Sequence, residues 1–81
     1  SKSMVVTDKQ NRMKYTLFGR GQKIKYNRKN YDIDKVAQIQ ALFLKGPDKI
    51  KLTKDELEKG FADGTIEVIN VGNNPQHKVK I

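Results

Sequence analysis

KVAQIQALFLK, residues 35–45, is the run whose reading decides the fold. Its apolar positions Val36, Ile39, Leu42 and Phe43 recur at spacings of three and four, with Ala37, Ala41 and Leu44 alongside. That is the pattern of one helix face. Asp34 precedes the run as a suitable N-cap, and Gly46-Pro47 follows it as a stop. The spacing predicts a main helix here, lying as a lid on whatever sheet the flanking chain provides.

Upstream, residues 4–7 and 13–18 read as strands around the polar turn Asp8-Lys9-Gln10-Asn11. A four-residue loop sets Val6 opposite Met13 and Met4 opposite Tyr15. A two-residue loop at Arg20-Gly21 then sets Leu17 opposite Ile24 and Tyr15 opposite Tyr26, with Phe18 facing Lys23 on the other side. A slip of one residue would exchange the faces of a strand. Both turns place Met13, Tyr15 and Leu17 on one face, and this agreement predicts an antiparallel meander. A turn over residues 27–30 and a return strand over 31–33 extend it, pairing Tyr26 with Tyr31 and Ile24 with Ile33.

Downstream, Thr53-Lys54-Asp55-Glu56 has the form of a capping box and predicts a second, short helix ending at Gly60 or Gly64. Residues 65–71 are rich in β-branched side chains, 72–75 turn, and 77–81 return as a final strand. The expected fold class is α+β: a small antiparallel sheet, built as a meander of hairpins, with one main helix packed on one face and a second short helix. The expected organisation is a single domain over 1–81, with a basic β-meander in 1–33 and helix, short helix and C-terminal β-hairpin in 34–81.

Charge is distributed unevenly over this scheme. Residues 1–31 carry nine Lys and Arg against Asp8 alone, which accounts for the formal net charge of +8, and residues 32–81 balance. Tyr15, Phe18, Tyr26 and Tyr31 alternate with the cations. Fourteen Lys against three Arg suit phosphate contact as point charges better than bidentate reading of guanine. A nucleic-acid-binding face is therefore expected from Arg12, Lys14, Phe18, Arg20, Lys23, Lys25, Arg28 and Lys29, with Phe18 stacking on a base. RNA or single-stranded DNA is favoured over duplex DNA.

Other chemistry has less behind it. Phe18-Gly19-Arg20-Gly21 lacks the Lys-Ser/Thr of a phosphate loop and reads as a hairpin turn. Residues 34–81 resemble a winged-helix outline, but Asp55, Glu56 and Glu58 give the second helix the wrong charge for a DNA groove. His77 is the single histidine, and Asp32, Asp34 and Asp63 have no metal-ligand spacing. The reading is a non-enzymatic protein without cofactor or metal. Its alternative is a small inhibitor, regulator or assembly subunit docking on an acidic protein surface, and a basic nuclease toxin domain comes third. The longest apolar run is four residues, 41–44, there is no signal-like segment and no cysteine, so a cytoplasmic protein with no membrane contact is expected.

Overall fold

The computed structural model describes residues 2–19, 21–72 and 76–80. Its elements are β1 (Met4–Asp8), β2 (Met13–Leu17), β3 (Lys23–Tyr26), β4 (Lys29–Val36), β5 (Gln40–Lys45), β6 (Asp48–Thr53), α1 (Lys54–Asp63), β7 (Ile66–Asn70) and β8 (Gln76–Lys78). They form two antiparallel sheets, one of three strands in the order β1-β2-β8 and one of five in the order β6-β5-β4-β3-β7.

The lid helix expected over residues 35–45 is absent. That run is the end of β4, a turn and β5. Asp34 is no cap: the β4–β5 register shifts between Ile33 and Lys35 and leaves it as the extra residue of a bulge. The reason lies just beyond the run. Lys49-Ile50-Lys51-Leu52 alternates polar and apolar with period two, as a half-buried strand does. Lys45 pairs with Asp48 across Gly46-Pro47, so Gly46, at φ 55°, opens a tight hairpin turn where the sequence suggested a helix stop. Ala41, Phe43 and Leu52 turn into the core, and Ile39, counted above on the buried helix face, is left outside. With this helix goes the winged-helix outline.

Of the expected hairpins, the first survives with its faces intact. Met4 lies opposite Leu17, Val6 opposite Tyr15 and Asp8 opposite Met13. This register is two residues from the expected one, and a shift of two preserves which side chains are buried. Asn27 and Arg28, both at positive φ (48° and 67°), make a two-residue turn of the primed kind between β3 and β4. Ile24 therefore faces Tyr31 rather than Ile33. The hairpin expected at Arg20-Gly21 does not form. After Leu17 the chain leaves the three-stranded sheet, and β2 takes β8 as its second neighbour. β7 pairs with β3, so the C-terminal β-hairpin does not form either; part of its turn, residues 73–75, lies outside the described residues.

Both sheets contribute to one core, with Met4, Val6, Tyr15 and Leu17 from the first and Ile24, Tyr31, Ile33, Val36 and Phe43 from the second. α1 closes it. The capping box is present in full: Thr53 Oγ1 accepts from Glu56 N at 3.1 Å, and Glu56 Oε1 accepts from Thr53 N at 2.9 Å. Gly64 ends the helix in the left-handed region. Leu57 and Phe61, one turn apart, turn into the core, where the Phe61 ring stands 6.1 Å from that of Tyr15. Glu58 Oε2 accepts from Thr7 N at 2.8 Å and so occupies a donor on the outer edge of β1. Burial, then the charge and hydrogen bonding of Asp8, push the Tyr15 phenol above its ordinary range.

Candidate functional site

The crossing between the sheets is held by one side chain. Gln22, 1% exposed, accepts at Oε1 from Phe18 N at 2.8 Å and Gly19 N at 3.1 Å. Its Nε2 donates to the carbonyls of Thr16 and Val71, both at 3.1 Å. The strand alternation that buries Leu17 sends Phe18 outward, and the Gln22 clamp holds its backbone there. Phe18 remains 46% exposed.

Phe18 borders an open groove of about 630 Å³ whose other walls come from the β4–β5–β6 end of the larger sheet. Lys35, Leu42 and Lys51 form one cross-strand row, two cations flanking a half-buried leucine. Across three adjacent strands such a row places the lysine Cα atoms about 10 Å apart. Lys2 completes the set from the N-terminal side, Ala37 contributes from the β4–β5 turn and Gln40 from the start of β5. Among the described residues, no acidic side chain lines the groove. The groove brings an aromatic ring and apolar side chains together with three lysines, a combination suited to a ligand that is anionic at one end and flat and apolar at the other.

The residues expected at the site are dispersed. Phe18 is outward, as expected, but not opposite Lys23, since β2 and β3 belong to different sheets. Arg12 and Lys14 lie in or just after the β1–β2 turn, at the far end of β2 from Phe18. Lys23 faces Asp32 in an exposed ion pair of 3.6 Å, and Lys25 stands opposite Glu67, so both are locally compensated. Arg28 lies in the β3–β4 turn and Lys29 opens β4, about 20 Å along the strand from Lys35. Arg20 lies outside the described residues. His77 is exposed on β8, opposite Lys14.

Lys35 and Lys51 escaped sequence reasoning because the helix assigned to residues 35–45 hid the strands that align them. The alternation of residues 49–52 was the available signal for Lys51. Lys35 gave none, because its outward position depends on the bulge at Asp34.

Among the described residues, no three His, Cys, Asp or Glu side chains gather as a metal would require, and no helix is long and apolar enough to cross a membrane. Compared with known proteins, the chain matches no family model, no curated protein and no solved structure.

Proposed function

We propose that this is a non-enzymatic nucleic-acid-binding protein that holds single-stranded RNA or DNA in the groove beside Phe18. The observation that carries the reading is a half-exposed aromatic ring set among Lys2, Lys35 and Lys51, with no lining acid among the described residues. A base can lie on that ring only once it has left a duplex stack, which favours single strands over duplex. The lysines neutralise phosphates and carry little base preference. Arg12, Lys14, Arg28 and Lys29 then act at longer range, through the positive field that draws a polyanion toward the surface, to which the compensated Lys23 and Lys25 add little.

A salt series on oligo-U, oligo-dT and a duplex of equal length tests this. Single strands should bind more tightly than duplex, with affinity falling steeply as salt rises. Lys35→Gln with Lys51→Gln should reduce the steepness by about 1.4, at roughly 0.7 per phosphate contact for single strands. Arg12→Gln with Lys14→Gln should leave the slope nearly unchanged. Phe18→Ala should weaken binding by about 1–3 kcal/mol with little change in melting temperature. A larger effect of the Arg12 and Lys14 pair would move the site to the other sheet, and indifference to Phe18→Ala would remove the stacking role.

The alternative, docking of an acidic protein strand, has one observation in its favour. β6 is an edge strand of the larger sheet and carries Lys49 and Lys51 exposed. That reading expects Lys49→Glu to abolish partner binding and Phe18→Ala to have no effect.

A further inference from the structure

Lys2 and Ala37 border two hollows, not one. On their far side from Phe18 lies a second hollow of about 490 Å³, lined by Lys2, Ser3, Ala37, Gln38 and Ile39. Among the described residues, again no acid lines it. Ile39 is the most exposed of the large apolar side chains among the described residues, at 71%. Its backbone, by contrast, is tied on both sides. Ala37 N donates to Gln40 O at 2.7 Å, closing the turn, and the Ile39 carbonyl accepts from Lys54 N at 2.8 Å, at the first residue of α1. The turn therefore holds an aliphatic side chain in water without folding it back onto the core. Leaving such a side chain exposed forgoes the favourable free energy of burying it.

From these two hollows we infer that the groove reads a single strand as a step of two consecutive nucleotides. One base lies on Phe18 and Leu42, the next rests against Ile39, and the phosphate between them meets the Lys2 ammonium at the shared wall. The Ser3 hydroxyl lies beside it as a donor to phosphate or sugar, and the Gln40 amide faces the first base as a donor and acceptor for its edge. This inference rests on the nucleic-acid reading above. It adds a length, a second base position and a role for Lys2, none of which that reading requires.

The test is a length series by calorimetry at fixed salt: uridine 5′-monophosphate, the 5′-phosphorylated dinucleotide and the tetranucleotide, each with its thymidine counterpart to separate RNA from DNA. Affinity should rise by about tenfold from mononucleotide to dinucleotide, the effect of one added base contact. Ile39→Ala should abolish most of that gain while leaving mononucleotide affinity unchanged. Lys2→Gln should weaken the dinucleotide more than the mononucleotide, and Lys2→Arg should restore it. Melting curves on each variant check that the fold is intact, which the exposure of both side chains favours. Phe18-dependent binding with no dinucleotide gain, or a gain that survives Ile39→Ala, would overturn the two-step inference and leave a one-base groove. Absence of binding by every oligonucleotide would bring down the nucleic-acid reading and this inference together, whereas binding indifferent to Phe18→Ala would remove the stacking position and this inference with it.

Discussion

A single amide, that of Gln22, satisfies four backbone groups where the chain passes from one sheet to the other. The bonds to Gly19 N and the Val71 carbonyl are buried, so neither group can turn to water when the amide is removed. A buried donor or acceptor left without its partner costs about 1–3 kcal/mol. Gln22→Met, of similar length and apolar, should therefore destabilise the protein by about 2–4 kcal/mol, measured by urea unfolding. A loss under about 1 kcal/mol would mean that the crossing is held by something else. Leucine and phenylalanine at 17 and 18 were legible in the sequence, because parity along a strand sends neighbours to opposite faces. Gln22 was not, since glutamine is ordinarily a surface residue and only tertiary structure brings Thr16 and Val71 to it.

Among the elements, α1 was the one the sequence specified most directly, because a capping box is complete within four residues. Gly60 within it is less obvious. A Cβ built there would come within 2.5 Å of Ile66 Cδ1 and 2.6 Å of Cγ1, so glycine lets the helix lie close against β7. In an exposed helix, Gly→Ala gains about 1 kcal/mol. Here overpacking of about 1–3 kcal/mol opposes it and should win. Gly60→Ala should lower the melting temperature, whereas in an Ile66→Ala background the same change should be neutral or stabilising. Additivity of the two substitutions would count against the contact. Residues 35–45 misled for a related reason. Ala41, Leu42, Phe43 and Leu44 are apolar in sequence, and a short continuous run has no period of its own. Gly46-Pro47 stops a helix as readily as it turns a hairpin. Only the partner strand, residues 49–52, could arbitrate.

For the molecule as a whole, face assignments came through the sequence and strand partners did not. Leu17 and Ile24 are both buried as parity required, yet they sit in different sheets. Parity specifies a side of a sheet and says nothing about which strand lies next to it. The groove suffers most from this, since Lys2, Lys35 and Lys51 come from three separate segments and meet only once those partners are chosen. The pairing of β2 with β8 has a consequence for the order of folding. Strands β3 to β6 are joined by tight turns and can zip together locally, whereas joining Lys14 to His77 must close nearly the whole chain. The three-stranded sheet should therefore complete after the transition state. Stopped-flow kinetics should find that Ile33→Val, within the meander, slows refolding, while His77→Gly leaves the refolding rate nearly unchanged and accelerates unfolding. If His77→Gly slows refolding instead, closure comes early. During synthesis, late closure means that β2 emerges with one edge unpaired and keeps it so until residues 76–78 have left the ribosome. For that interval the growing chain is open to strand addition from its neighbours.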